Sequence, residues 1–327
     1  MKSLRNAVSA TLMVCAVSLS AAPTAAETYI VAVGAPSNSL QGRSAAKFAE
    51  DLQAELGDAH VVEFYADAQL GDEKELMQKL RLGTVQFTLI SSIMTNVAPE
   101  FALFDMPFLV KNRAHLKAID AEIVQTDLVP KAEKSGLKVL STWENGFRQI
   151  TNSTRPINTP ADLQGLKIRT PSSEWRVAMF KEWGANPTPM SFSEVFVALQ
   201  TGTMDGQENP LTNITGANFQ EVQKYLSLTG HVYSPSYLTT GLDAWNNLPE
   251  DVQSAAIAVA ALVQGWALAE GETADNELVD KVKAAGMEVN EADKDAFIEA
   301  SAPIYKAFAD QVEGGDELVR RAQALAK

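Results

Sequence analysis

The sequence is poor in the residues that carry covalent and metal chemistry. Its 327 residues include one cysteine, Cys15, and three histidines. Because Cys15 lies in an apolar run near the N-terminus, the remaining chain has neither a disulfide nor a thiol nucleophile. His60, His115 and His231 are far apart and follow no metal-ligand spacing. We therefore expect structural or surface histidines and no metal site.

Motifs that bind cofactors or activate nucleophiles are also missing. The chain contains no G-x-S-x-G elbow, no G-x-G-x-x-G loop and no P-loop. Paired carboxylates occur, but any acidic chain has many of them. We therefore expect a binding protein without a cofactor, and an enzyme is the weaker alternative.

The first residues have the composition of a secretory signal peptide. Lys2 and Arg5 precede an apolar run over 7–19, and small residues continue to Ala26. No later run approaches the roughly 20 consecutive apolar residues that span a membrane. We expect cleavage near Ala26, with 1–26 as the signal peptide and the mature protein in the periplasm.

Positive charge is scarce. The formal net charge is −14, and removal of Lys2 and Arg5 with the signal peptide makes it −16. Such a negative field argues against nucleic acids and anionic membrane surfaces as partners. If the ligand is an organic anion, a few buried cations must attract it against the field of the whole molecule.

The first part of the mature chain alternates between strand and helix patterns. Strand-like runs at 29–33, 60–65 and 85–90 are separated by two amphipathic helices. This order predicts a mostly parallel sheet with right-handed crossovers. The fold class that we expect is α/β.

Two later segments are expected to cross between lobes. After a turn at 143–146 the chain enters a strand-like run at 147–152, and a pair of such runs near 226–240 returns it. An apolar helix then starts near Pro249 and extends toward Val282, about 50 Å at 1.5 Å per residue. We expect lobe I to comprise 27–147 and 233–270, and lobe II 148–232 and 271–327.

The stretch at 165–210 carries the strongest pattern for a binding site. It reads as strand, helix, strand, helix, strand, with Arg169 and Asn209 at the ends of strands. In open α/β sheets ligands bind at the carboxyl ends of strands, so these two side chains are placed to hold a small polar ligand. Ser191 and Glu194 match the S-x-x-E pattern of a capping box.

The same stretch resembles a known family. The strings RTPSS, GANPTPMSFSEVFVALQTGTMDGQENP and EVQKYLSLTGHVY are similar to the solute-binding proteins of tripartite ATP-independent periplasmic (TRAP) transporters. The resemblance covers essentially the whole mature chain. It implies a type II-like periplasmic binding protein of two lobes, with a long helix spanning both, that captures organic acids and delivers them to a membrane permease.

Site residues follow from the resemblance one position at a time. A guanidinium matches a carboxylate bidentately, which makes Arg169 a candidate carboxylate clamp. By itself, however, an arginine at a strand end is more often a surface ion-pair partner. The resemblance makes it the carboxylate ligand. It also implies that Arg148 is a second ligand-facing arginine, that Asn209 contacts the same carboxylate, and that Phe192 is an aromatic wall.

Further positions are weaker candidates. Glu73 corresponds to a ligand-side acidic position in some members, whereas Ser91 replaces the acidic residue of sialic-acid-binding members. Trp175 either stacks on a sugar ring or belongs to the helix core. The six candidates of this group are Glu73, Ser91, Ser92, Ser172, Ser173 and Trp175.

We expect a monomer that closes over a small organic acid anion, such as a sugar acid or hydroxy acid, and passes it to TRAP permease subunits. In a first alternative, the closed protein presents the same site to a periplasmic sensor. In a second, the protein is a periplasmic hydrolase or lyase.

Overall fold

The computed structural model describes residues 27–326. The predicted signal peptide lies outside the described residues. The strands are β1 Glu27–Ala32, β2 His60–Tyr65, β3 Phe87–Ile90, β4 Leu137–Asn152, β5 Lys167–Thr170, β6 Asn186–Pro189, β7 Gly206–Pro210, β8 Tyr225–Leu228, β9 Tyr233–Gly241 and β10 Glu288–Glu291. The helices are α1 Leu40–Leu56, α2 Glu73–Arg81, α3 Arg113–Ile119, α4 Val129–Lys134, α5 Glu174–Glu182, α6 Val195–Gln200, α7 Leu211–Gly216, α8 Leu242–Asn246, α9 Glu250–Ala284, α10 Lys294–Ala300, α11 Ala302–Gln311 and α12 Gly315–Ala324.

The strands pair in the order β2-β1-β3-β9-β4-β7-β5-β6, and β8 joins β10 to β4. The pairings of β1 with β2 and β3, of β5 with β6 and β7, and of β8 with β10 are parallel. Every antiparallel pairing involves β4 or β9. The predicted α/β class with mostly parallel strands is therefore confirmed. The two long strands β4 and β9, which pair antiparallel, join the two halves of the sheet.

The short sequence signals position the elements of the first half. The side chain of Asp72 accepts from the backbone of Glu75 and Glu75 caps Asp72 in return, so α2 begins at a complete capping box. Gly57, at φ 61°, ends α1. These two helices hold the ends of β1 and β3, where one wall of the cleft is built.

The strand β4 is longer than the sequence predicted. The expected turn at 143–146 is a bulge inside a continuous strand, with the pairing register shifting between Glu144 and Gly146. Gly146 adopts φ 123°, which a residue with a side chain rarely adopts. β4 pairs with β9 up to Phe147 and with β7 from Arg148 onward. One strand therefore runs through both lobes.

The long helix α9 lies along both lobes, as the resemblance implied. Val252, Val259 and Val263 pack with β1 and α1 in one core, whereas Val282 packs with residues of α6, α7 and β8 in another. Among the helices of residues 27–326, α9 alone is long and apolar enough to cross a membrane by length and composition. Its buried apolar side chains are used for this internal packing, whereas Ile257 and Leu262 are exposed.

The end of the chain differs from the expected lobe division. In α12, Arg321 forms an ion pair with Asp127, and the Ala322 carbonyl lies 2.7 Å from Nε2 of His115. Both partners belong to the expected first lobe, although residues 271–327 were expected to form part of the second. The C-terminal helices therefore brace both lobes.

Candidate functional site

A cavity of about 510 Å³ lies between the two lobes. Its first-lobe wall comes from the loop after β1, the start of α1, α2, and the segment after β3. Its second-lobe wall comes from the ends of β5 and β7, the segment after β6, and α7. Its polar and charged lining residues are Gln41, Asp72, Glu73, Lys74, Gln78, Arg81, Ser91, Ser92, Asn96, Asn145, Arg148, Arg169, Ser172, Ser191, Ser193, Asn209 and Asn213.

Arg169 lies at the carboxyl end of β5, and only 3% of it is exposed. Its Nε and Nη2 atoms donate to the Met190 carbonyl, at 2.9 and 2.5 Å, and its guanidinium lies 5.7 Å from the centre of the Phe192 ring. These contacts leave the Nη1–Nη2 edge free. Because a carboxylate fits that edge through two parallel hydrogen bonds, Arg169 is oriented as a clamp.

No carboxylate of residues 27–326 forms an ion pair with Arg169. Burial, and after it the positive charge of Arg148, lowers the pKa of Arg169 to about 9. The guanidinium therefore remains protonated at neutral pH. A buried, unpaired cation attracts an anion strongly because the surrounding protein screens it poorly.

Arg148 is held by a buried ionic cluster. Its Nε atom donates to Glu208, and its Nη2 atom contacts both Glu208 Oε1 at 3.0 Å and Asn209 Oδ1 at 3.1 Å. Arg176, on α5, donates to Glu208 at 2.7 Å and to Asp105 at 2.6 Å. The cluster thus connects β4, β7, α5 and the 3₁₀ segment Pro99–Asp105.

Glu208 is ionised and His231 is neutral. Burial alone would raise the pKa of Glu208, but the charges of Arg148 and Arg176 hold it well below its usual range. Burial lowers the pKa of His231 to about 4, against the opposing effect of Glu208. The His231 Nε2 atom lies 3.2 Å from Glu208, and its Nδ1 atom lies 2.7 Å from the hydroxyl of Thr229. The neutral ring thus donates to Glu208 through Nε2.

Glu73, the first residue of α2, faces the arginines from the opposite wall. Burial raises the pKa of Glu73 to about 7, although the backbone of Ser91 and the charges of Arg169 and Arg148 act in the other direction. Near neutral pH this carboxyl is therefore partly protonated, whereas an ordinary glutamate is almost fully ionised.

A row of carboxamides forms the inner wall. The Nδ2 atom of Asn213 lies within 3.1–3.3 Å of oxygen atoms of Gln41, Asn145 and Asn209, and all four residues are buried. Asn145 in turn donates to the hydroxyl of Ser91 at 3.2 Å. This row connects the clamp of the second lobe to the serines of the first.

Two side chains join the lobes across the cleft. The Ser191 hydroxyl donates to Asp72, and the Asn96 amide donates to the Ser172 carbonyl at 2.9 Å. The predicted capping box at Ser191 is therefore wrong, since its side chain makes no cap hydrogen bond and contacts the other lobe instead. The structure thus shows lobes in contact.

Eight of the predicted site residues line the cavity together: Arg169, Arg148, Asn209, Phe192, Glu73, Ser91, Ser92 and Ser172. Two do not. Ser173 is buried, caps α5 and donates to Asp105 at 2.5 Å. Trp175 packs edge-on against Phe308, 5.4 Å between ring centres. The placement of these two in the site is corrected, because helix capping and core packing use both side chains.

Sequence reasoning missed the carboxamide row and the residues that support Arg148. Arg176 did give a signal, because it shares a helical stripe with Met179, Phe180 and Trp183 at positions i+3, i+4 and i+7. A cation in an apolar stripe indicates a buried partner. Gln41 and Asn213 gave none, since amides at these positions are equally consistent with solvent exposure.

A family model described as bacterial extracellular solute-binding protein, family 7, matches residues 31–311. The chain belongs to this family. Its resemblance to TRAP solute-binding proteins is confirmed by this match and by the solved structures named below, which are periplasmic solute-binding proteins. Within residues 27–326 no group of three or more His, Cys, Asp or Glu residues could hold a metal ion.

Its relatives in the family match over most of their length. The 2,3-diketo-L-gulonate-binding periplasmic protein of Escherichia coli is 37% identical over 85% of each chain. A TRAP periplasmic solute-binding protein from Polaromonas sp. JS666, bound to D-erythronate, superimposes with a TM-score of 0.87 at 34% identity, covering 92% of this chain and 99% of its own. One from Sulfurospirillum deleyianum with bound succinate has a TM-score of 0.87 at 30% identity and covers 92% and 100%.

Proposed function

We propose that this family 7 binding protein captures a small organic acid, a sugar acid or hydroxy acid, and delivers it to a TRAP membrane permease. The observation that carries the proposal is the buried, unpaired guanidinium of Arg169 in a cavity between lobes. The 2,3-diketo-L-gulonate and D-erythronate of two relatives support a sugar acid, and the succinate of a third supports only the broader class of small organic acids.

Capture proceeds by closure of the lobes. Arg169 and Asn209 of lobe II hold the carboxylate, and Ser91, Ser92 and Glu73 of lobe I complete the contacts. A ligand that touches both walls binds the closed arrangement more tightly, so it shifts the population toward closure. In this proposal lobe I comprises 27–147 and 233–270, lobe II comprises 148–232 and 271–311, and the remaining C-terminal residues brace both.

Export and delivery follow from the family. The protein acts as a monomer in the periplasm after removal of residues 1–26, and the closed form presents its two lobes to the permease subunits. A genomic neighbourhood that encodes two membrane permease subunits supports transport, whereas a neighbouring receptor gene supports sensing.

The test combines a screen with one substitution. Thermal-shift screening against organic acids identifies a ligand, and calorimetry then compares wild-type protein with Arg169→Ala. We expect a loss of about 2–5 kcal/mol, roughly 30-fold to 5,000-fold in affinity, since the ligand carboxylate loses its buried partner. Arg320→Ala, which removes an exposed arginine of α12, is the matched control. Wild-type affinity in a folded Arg169→Ala protein would contradict the proposal.

A further inference from the structure

The inner end of the cavity is surrounded by an unequal number of buried charges. Three guanidinium groups, of Arg148, Arg169 and Arg176, stand with two carboxylates, of Asp105 and Glu208, and all five residues are buried. Both carboxylates are engaged by Arg148 and Arg176. One positive charge is therefore left without an ion pair, on Arg169, and the partly protonated carboxyl of Glu73 faces it from the opposite wall.

The other titratable neighbour adds no charge to this cluster. His231 contacts Glu208 but is neutral at physiological pH, because burial lowers its pKa to about 4. An isolated buried charge is energetically costly, and an arginine cannot remove this cost by losing its proton near neutral pH. A single negative charge from the ligand balances the cluster.

The inner wall offers hydrogen bonds without charge. Gln41, Asn145 and Asn213 are neutral carboxamides, and Ser91 and Ser92 present hydroxyls. Within residues 27–326 the buried Oδ1 atom of Asn213 has no hydrogen-bond partner. Ligand hydroxyls suit such a wall because they both donate and accept, whereas a carboxylate only accepts and finds no cation here.

The wall that faces Arg169 is already acidic. Glu73 and its neighbour Asp72 line the cavity from α2, and Asp72 accepts from Ser191 across the cleft. The cations Lys74 and Arg81 also line the cavity, but both are exposed at its rim. Solvent screens charges at such positions, so the rim does little to neutralise a second buried carboxylate.

We propose that the site selects polyhydroxy monocarboxylates and rejects the corresponding dicarboxylates, with Glu73 as the residue that enforces the choice. This inference rests on the proposed function and goes further by assigning the number of carboxylates. A first carboxylate pairs with Arg169. A second one on the same short ligand is enclosed beside Glu73 and the carboxamides, where like charges repel and the other buried arginine of the lining, Arg148, is already paired with Glu208.

The test uses matched pairs of acids. Each pair contains an aldonate and the aldarate that differs only by oxidation of the terminal CH2OH group to a second carboxylate: erythronate with meso-tartrate, gluconate with glucarate, and galactonate with galactarate. Calorimetry at pH 8 on the wild-type protein should show that the monocarboxylate of the best-binding pair binds about 100-fold more tightly than its partner.

The variant Glu73→Gln tests the residue. It removes the negative charge but keeps the size and a hydrogen-bonding group, so the preference should narrow to about tenfold or less. The control Glu55→Gln removes an exposed carboxylate at the far end of α1 and should leave the preference unchanged.

A second readout follows from protonation. Glu73 is faced by Arg148, Arg169 and Asp72, with Lys74 on the cavity rim, and its pKa is about 7. Protonation removes the charge by which Glu73 repels a second carboxylate, so the preference for the monocarboxylate should narrow as pH falls below 7. Calorimetry at pH 6 and pH 8 measures this change, and Glu73→Gln should abolish it.

The outcomes separate the two proposals. A pair whose dicarboxylate binds as tightly as its monocarboxylate would overturn the selection while leaving acid capture standing. An unchanged preference in Glu73→Gln would overturn the role of this residue. If no acid of the panel binds the folded wild-type protein, both the selection and the proposed function fail.

Discussion

Two ionic clusters, one buried and one partly exposed, lie along the same strand, and they resolve their excess charge in opposite ways. The cluster around Glu208 has one cation too many and borders the cavity. The second cluster contains Glu144, Asp275 and Arg113, so it has one carboxylate too many. It lies where β4, α3 and α9 meet, and a Cβ atom at Gly271 of α9 would approach Glu144 Cγ to 2.5 Å.

The difference follows from the chemistry of the two side chains. Burial raises the pKa values of Glu144 and Asp275, so a proton relieves the excess negative charge at a higher pH than it would for ordinary carboxyls. Arg169 has no such route near neutral pH. A buried excess of arginine therefore needs an external anion and a cavity to admit it, whereas a buried excess of carboxylate is compatible with closed packing.

The largest effect is expected for Arg176→Met. This variant keeps much of the side-chain volume but leaves Asp105 without its cation, and breaking a buried ion pair costs about 3–5 kcal/mol of unfolding free energy. Denaturation in urea measures it. Arg320→Met, in an exposed ion pair, is the control, and an equal loss there would remove the distinction between buried and surface arginines.

The dependence of stability on pH should come mainly from the second cluster. Because the folded protein holds the Glu144 proton more tightly than the unfolded chain, stability falls as pH rises from about 4.5 through the raised folded pKa. The slope is at most about 1.4 kcal/mol per pH unit for one proton. Glu144→Gln should flatten the stability profile, measured by urea denaturation at several pH values. A profile identical to the wild type would show that Glu144 does not retain its proton.

The hydrogen bond between Ser191 and Asp72 should affect ligand affinity more than stability. Because this hydrogen bond forms only when the lobes are in contact, Ser191→Ala should weaken ligand binding by about 0.5–1.5 kcal/mol through loss of one contact in the closed form. Calorimetry measures the change, and Ser254→Ala on the exposed face of α9 is the control. Equal affinity in both variants would show that this contact does not favour closure.

The smallest effect on folding is expected for Arg169→Gln in the ligand-free protein. Removal of an uncompensated charge offsets the lost hydrogen bonds to Met190, so unfolding free energy should change by less than about 1 kcal/mol. Urea denaturation of Arg169→Gln and of Arg176→Met under the same conditions provides the comparison. A loss as large as that of Arg176→Met would mean that Arg169 is a structural residue.

Much of this site could be predicted from the sequence because its signals are local. Arg169 precedes Thr170-Pro171 at one strand end and Asn209 directly precedes Pro210 at another, so both were placed at one edge of the sheet. The spacing of Asp72 and Glu75 is that of a capping box, which is itself a local signal for the start of α2 at Glu73. The length and apolar pattern of α9 were also visible, since a 35-residue helix needs no tertiary information to be recognised.

Other features depended on partners distant in sequence. The S-x-x-E pattern at Ser191 favoured a helix cap, but the Ser191 hydroxyl donates a hydrogen bond to an aspartate 119 positions away. Trp175 was open to stacking on a sugar ring or, more often for such a residue, to packing in the helix core, and the contact with Phe308 on α11 placed it in the core. The turn predicted at 143–146 became a bulge because β9 pairs with the strand on both sides of it.

The α/β alternation, the long helix and the arginine at a strand end follow from the sequence alone, because periodicity, capping and proline act within a few residues. Which buried charges are paired depends on the folded arrangement of the chain. An arginine has the same local sequence pattern whether its partner is a glutamate of another strand or an anion from solution. Arg148 and Arg176 differ from Arg169 only because folding brings Asp105 and Glu208 beside them to form ion pairs.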